Sequence, residues 1–252
     1  MTLSLDLTGR VALVTGGARG IGRGISEVLM AAGATVVTCG RSEAEPPAGA
    51  SHLTCDVRDA DAVTALVDAV VERHGRLDIV VNNAGGAPYA MAADASPRLH
   101  DKIVDLNLMA ALHVSQAANA VMQKQDGGGS IVNISSVSAL RPSPGTAAYG
   151  AAKAGTDSLT TSLAMEWGPK VRVNCVDVGL VRTGDTADHY GSDETVAAIE
   201  RTIPAGRMGN IEEIGNVVAF LASDLATYVS GASVACHGGG EFPVFQYIFL
   251  NA

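Results

Sequence analysis

Two rhythms of apolar residues run along the chain. Short, nearly unbroken apolar runs fall at Val11–Thr15, Thr35–Cys39, His52–Cys55, Leu77–Asn82, Gly129–Ser135, Val171–Val176 and Ala232–Cys236. Runs of this kind are the pattern of parallel strands covered on both faces. Between them lie helical stretches. In Asp59–His74, residues Val63, Leu66, Val67 and Val70 keep the i, i+3, i+4, i+7 spacing of one buried helix face. Gly33 and Gly75 stand where helices should stop. Alternation of strand and helix predicts right-handed crossovers and an α/β fold, a doubly wound parallel sheet with helices on both faces. A chain of 252 residues fits one such domain, residues 1–252.

Two predicted helices depart from the amphipathic pattern. Asp101–Lys124 and Thr146–Trp167 carry small or apolar residues around most of their circumference, which predicts burial in a subunit interface. The expected loops are Ser42–Ala50 and the polar Thr183–Pro204. Three of the four phenylalanines fall in the tail, residues 241–252, which is expected to pack against a neighbouring subunit.

Composition narrows the function classes. A net charge of −9 argues against nucleic acid and anionic lipid, because both need a basic face. No window approaches the ~18 consecutive apolar residues of a membrane span, and the start, MTLSLDLTGR, has no signal-peptide pattern. A cytoplasmic protein is the simplest expectation. The cysteines at 39, 55, 175 and 236 lie far apart and the six histidines show no ligand spacing, so no metal is expected. The cysteines read as small buried hydrophobes.

Chemistry concentrates at strand ends. The first strand leads into TGGARGIG, Thr15 to Gly22. Gly16, Gly20 and Gly22 let the backbone turn sharply and approach a pyrophosphate at a helix N-terminus. At the end of the second strand Gly40 stands where an NAD-preferring enzyme usually has a carboxylate, and Arg41 follows. With Arg19 in the glycine loop, two guanidiniums without an opposing carboxylate favour NADP(H). Asp56-Val57 and Asn82-Asn83-Ala84-Gly85 close the third and fourth strands, where they can wall an adenine and ribose. Tyr149 and Lys153 share a helix face at i, i+4, so the ammonium, aided by a positive nicotinamide, is expected to lower the phenol's pKa. Ser136 can donate to a substrate oxygen, and Asn107 is a poor helix former in mid-helix. Each of these residues alone has a bland reading as well: strand punctuation, a surface arginine, a structural asparagine.

Together, TGGARGIG, Asp56-Val57, Asn82–Gly85, Asn107, Ser136 with Tyr149 thirteen positions on, Lys153, and the stretch Gly206–Gly231 resemble the short-chain dehydrogenase/reductase family from Gly9 to Gly239. The resemblance implies a single Rossmann-type domain with a seven-stranded parallel sheet, usually in a homotetramer. It implies Tyr149 as general acid and base, Lys153 lowering its pKa and holding the nicotinamide ribose, Ser136 orienting the carbonyl and Asn107 anchoring the lysine through water. The cofactor set it implies is Gly16, Ala18, Arg19, Gly20, Ile21, Gly22, Arg41, Asp56, Val57, Asn83, Ala84, Gly85, Tyr149, Lys153, Gly179, Val181 and Thr183. Expected around the substrate are Gly86–Tyr89, Ser138, Leu140, Tyr149, Val178–Leu180 and the loop Thr183–Pro204, which could close as a lid. Asp185, Asp188, Asp193 and Glu194 of that loop read as a solvated face.

Two positions depart from the family's pattern: Val178 where Pro is usual, and His237 where Asp is common. The function implied is NADP(H)-linked reduction of a small neutral or partly apolar carbonyl, as in 3-oxoacyl-carrier-protein reductases. The alternatives are an NAD-linked alcohol or sugar dehydrogenase and a catalytically silent cofactor-binding sensor or scaffold.

Overall fold

The computed structural model describes residues 5–184, 190–243 and 248. In chain order the elements are β1 (Val11–Thr15), α1 (Gly20–Ala31), β2 (Thr35–Gly40), β3 (Ser51–Thr54), α2 (Ala60–His74), β4 (Ile79–Asn82) and α3 (Pro97–Val104). A π turn (Asp105–Met109) joins α3 to α4 (Ala110–Met122), followed by β5 (Gly129–Ser136), α5 (Ala147–Trp167) and β6 (Val171–Val178). Then come β7 (Val181–Arg182), α6 (Asp193–Glu200), β8 (Gly209–Asn210), α7 (Ile211–Ala222) and β9 (Ser233–Cys236).

The main sheet has seven strands in the order β3-β2-β1-β4-β5-β6-β9. Every neighbouring pair is parallel. The order reverses between β1 and β4, and in such sheets ligands bind beyond the carboxyl ends of the strands at that switch point. On one face Leu13, Val37, Val80, Ile131 and Val173 pack against α2, α4 and α5. On the other, Ala12, Val14, Val36, Val81, Val132, Ile134 and Val176 pack against α1 and α7. Full burial of each such Val, Leu or Ile contributes about 1.5–3 kcal/mol, so the two apolar layers dominate stability.

Local chemistry explains the helix ends. The Asp59 carboxylate caps α2 by accepting from the Asp61 and Ala62 amides, and Gly75 ends it in the left-handed conformation at φ 76°. Asn210 and Glu213 form a reciprocal capping box on α7. Helix α1 differs: its N-cap, Arg19, makes no side-chain cap and its first turn holds no acid. The amides there are left for a ligand.

The structure adjusts two expectations. The helix expected over Asp101–Lys124 begins at Pro97, capped by Ser96, and is interrupted by the π turn. The expected loop Thr183–Pro204 contains α6, because Ser192 caps it and Val196 anchors it on a small core with Ile203 and Met208. Asp193 and Glu194 sit in its first turn, where they favour the helix dipole. Asp185 and Asp188 lie outside the described residues. Val178 stays extended, pairing with Ser136 and Cys236. Of the tail, Phe242 N–H donates to Thr202 O and Ile248 is 62% exposed. Cys39, Cys55 and Cys175 are buried and Cys236 half-buried, all as free thiols. No helix among the described residues is long and apolar enough to cross a membrane.

Candidate active site

At the switch point the floor is made of backbone. The Thr15 hydroxyl accepts from the Asn83 and Ala84 amides at 3.0 and 2.9 Å, pinning the end of β1 to the end of β4. Asn83 donates its side-chain amide to Thr15 O at 2.9 Å and to Gly16 O at 3.3 Å. Gly16 and Gly20 take φ of 64° and 52°, values open chiefly to glycine. A Cβ on Gly22 would fall 2.3 Å from Gly16 O, so the first turn of α1 can lie against the loop only without a side chain. Gly17 is equally constrained, 2.8–2.9 Å from Thr38, Ser26 and Val14 atoms; the sequence reading passed over it. At Gly20 a Cβ would meet only Thr183 Cγ2 at 4.0 Å, which places Thr183 across the groove from the glycine loop.

Charge at this end is cationic. Arg19 and Arg41 are exposed. The Asp56 carboxylate, expected at the adenine and ribose wall, is bonded at both oxygens by Arg58. Arg58 donates through Nε to Oδ1 at 2.9 Å and through Nη2 to Oδ2 at 2.5 Å. Arg58 holds this carboxyl below its ordinary range, with Arg41 adding to the effect. Arg58 was missed, although its place two residues after Asp56 was a readable signal.

The catalytic end is made of side chains, Lys153 and Asn107 buried and Ser136 and Tyr149 half-buried. β5 ends at Ser136, whose Oγ accepts from Ser138 N–H at 3.1 Å. A Cβ on Gly150 would come within 2.8 Å of Ser138 O, so this glycine lets α5 settle close beside the turn after β5. Tyr149 and Ser136 share a hydrogen bond that pulls the phenol's pKa down, but burial pushes it up and wins. The expected lowering by Lys153 is therefore not realised in the protein alone. The ammonium stands 5.5 Å from the ring centroid and donates to Ile134 O at 2.8 Å. Only 4% of Lys153 is exposed, and burial brings its pKa down to about 8.

Asn107 explains the π turn. Its side chain donates to Gly86 O and Ile103 O, both at 2.9 Å, and accepts from Gly86 N–H at 2.8 Å. The bond to Ile103 supplies the i−4 carbonyl with a donor where the helical ladder is broken, and its own carbonyl accepts from Thr156 Oγ1 at 3.1 Å. A Cβ on Gly85 would lie 2.7 Å from Asn107 Oδ1 and 3.3 Å from Lys153 Nζ, so all three meet there.

On the substrate side Gly86 takes φ 132° and Leu140 is 58% exposed. Ser138 stands beside Ser136. Tyr89 stacks on Gly145, where a Cβ would be 2.1 Å from the ring. Tyr190, hidden in a polar loop and not singled out from sequence, lies close enough to Tyr149 to raise its pKa. Leu180 packs on the small core and borders a cavity of about 100 Å³ with Ile203, Arg207 and His237. His237 is adjacent to Gly179, where a Cβ would meet its Cα at 2.7 Å.

A bare glycine cradle, an uncapped helix N-terminus at a switch point and two guanidiniums fit a dinucleotide pyrophosphate and ribose. When bound, the nicotinamide supplies or accepts a hydride, and its oxidised form brings a positive charge. Beside that groove stand a phenol, a hydroxyl and an ammonium able to hold and move a proton at a substrate oxygen. Fold and site define an NAD(P)-dependent oxidoreductase acting between alcohols and carbonyls.

Comparison with known proteins gives the family. Residues 16–241 match the family model described as Enoyl-(Acyl carrier protein) reductase. The chain is 38% identical over 248 residues to a 3alpha-hydroxysteroid dehydrogenase of Mediterraneibacter gnavus, covering 93% of this chain and 98% of the relative. It is 36% identical over 246 residues to a 3-oxoacyl-[acyl-carrier-protein] reductase of Thermotoga maritima, covering 93% and 99%. Among solved structures, the ligand-free aldohexose dehydrogenase of Thermoplasma acidophilum superposes with a TM-score of 0.88 at 31% identity, over 94% of this chain and 96% of that one. The protein belongs to the short-chain dehydrogenase/reductase family.

Proposed function

We propose that the protein is an NADP(H)-dependent carbonyl reductase acting on a small, neutral or partly apolar ketone. The observation that carries this reading is the charge at the end of β2 and β3. Gly40 offers no carboxylate to repel a 2′-phosphate, Arg19 and Arg41 face solvent, and the nearby Asp56 is neutralised by Arg58. In this reading the groove is held by Gly16, Ala18, Arg19, Gly20, Ile21, Gly22, Arg41, Asp56, Val57, Asn83, Ala84, Gly85, Gly179, Val181 and Thr183, with Tyr149 and Lys153 at the ribose.

Tyr149 gives its proton to the substrate oxygen in reduction and takes it back in oxidation. Ser136 donates to the same oxygen and keeps the phenol oriented. Lys153 brings a buried positive charge to the phenolate, and Asn107 fixes the π turn against which Lys153 packs. The wall from Gly86, Ser138, Leu140 and Leu180 carries no charge, which suits an uncharged substrate. Tetramer assembly through α4 and α5 belongs to the same reading, supported by Met165 of α5, which is 87% exposed in the single chain.

The test is kcat/KM for NADPH and NADH across a panel of uncharged ketones and 3-oxoacyl thioesters. NADPH should be preferred by about tenfold or more, the worth of one good charged contact. A preference for NADH would refute the reading of Arg19 and Arg41.

A further inference from the structure

Beneath α5 lies a group of titratable side chains that the chemistry above does not use. Asp177 of β6 is 3% exposed, and its Oδ1 is buried without a hydrogen-bond partner. Facing it from α5 is Asp157, one helical turn beyond Lys153, and beside both is Cys175 of β6. One ligand atom from each of Asp157, Cys175 and Asp177 lies within 4.8 Å of the others. The Cys175 thiol donates to Asp157 Oδ1 at 3.3 Å. Ser135 of β5, on the same sheet face, donates to the Lys153 carbonyl at 3.3 Å and also bonds Asp177. The neighbouring β9 contributes Ser233 and Ala235 at this level, neither of which titrates.

Two carboxyl groups in contact inside a protein invite either a proton or a cation between them. The Cys175 thiol is no source of charge here, because burial and the two aspartates hold it firmly protonated. Lys153 has the opposite need. Its ammonium is buried, donates to a neutral carbonyl and forms no ion pair among the described residues. Asp157, at i+4 from Lys153, is the nearest source of compensating charge on its own helix.

We propose that the half-buried Asp157 and the buried Asp177 form a carboxyl pair that supplies the counter-charge of Lys153, making both of them positioning residues for the catalytic ammonium. This rests on the reading of Tyr149 and Lys153 as the working pair. Burial first, and the neighbouring Asp157 next, raise the pKa of Asp177 to about 6. Below that pH Asp177 keeps its proton; above it Asp177 gives the proton up, so the field of the pair on Lys153 strengthens as pH rises. The linkage sign follows. Between the ordinary aspartate value of 3.8 and about 6 the folded chain retains a proton the unfolded chain has released, so stability falls as pH rises through that window.

The test uses the full-length protein and Asp157→Asn, Asp177→Asn and Cys175→Ser variants. The first readout is the alkaline limb of the kcat/KM profile. In Asp157→Asn it should move down by about one pH unit, the size expected for one charge a helical turn away, with a smaller shift in the same direction for Asp177→Asn. The second readout is urea unfolding of the cofactor-free protein from pH 4 to pH 7.5. Wild type should lose stability between about pH 4 and 6, and Asp177→Asn should not. A limb in Asp157→Asn that superimposes on wild type overturns the proposal, as does an unfolding window unchanged in Asp177→Asn. The third arm is titration with Zn²⁺ alone. One equivalent bound by wild type and lost in Cys175→Ser would mean that a cation, not a proton, joins the carboxyls, and would also overturn it. If no carbonyl is reduced at any pH, the functional reading fails, and the unfolding arm still judges the pair.

Discussion

The two ends of the active-site groove are built on opposite principles. At the end of β1 the machinery is an absence: Gly16, Gly17, Gly20 and Gly22 keep side chains away so that amides stay open to a pyrophosphate. At the end of β5 it is an excess. Tyr149 and Ser136, half-buried, crowd against Lys153 and Asn107, which are only 4% and 2% exposed. The first design binds through the backbone and asks no proton to move. The second shifts protonation, pushing Tyr149 up and bringing Lys153 down to about 8. Binding and chemistry should therefore be separable by mutation.

The sharpest way to break that separation is Gly22→Ala. Its Cβ would overlap Gly16 O at 2.3 Å and Asn83 Nδ2 at 2.5 Å, contacts that real structures do not tolerate. Overpacking of this kind costs about 1–3 kcal/mol. NADPH affinity, followed by nicotinamide fluorescence, should fall about a hundredfold, while the Tyr149 site stays intact. A smaller effect is expected of Ser136→Ala. Loss of its hydrogen bond removes a contact that lowers the phenol's pKa. A pH–rate profile should show kcat reduced by about tenfold to a hundredfold and an alkaline shift of the tyrosine limb, with NADPH affinity unchanged. The smallest is Arg41→Ala, which should weaken NADPH by about tenfold and leave NADH alone. Equal loss with both cofactors would mean that Arg41 does not meet a 2′-phosphate.

Sequence reading reached much of this unevenly, for physical reasons. The strands were legible because parallel strands buried on both faces must be continuously apolar; β2, β5 and β6 each run only one or two residues beyond the expected ends. Tyr149 and Lys153 were legible because helical spacing alone puts them on one face. Gly17 and Gly150 were not, since what excludes a side chain there is an atom distant in sequence. Arg58 lay in plain view beside Asp56, yet sequence does not say that two neighbours will turn toward each other. Asp157 and Asp177 stand twenty positions apart on different elements, and only the packing of α5 on β6 brings their carboxyls together. Burial, which helical spacing does not show, raises the tyrosine's pKa in the protein alone.

Tyr149→Phe tests the centre of the account most directly, with ketone turnover and NADPH affinity measured on the same preparation. The phenol oxygen is the only atom removed, so turnover should fall at least about a hundredfold, while NADPH affinity, which the phenol shares with the whole glycine loop, should fall by no more than about threefold. Turnover that survives the change would show that the proton comes from elsewhere; affinity lost together with turnover would show that the two ends of the groove are not the separate devices described.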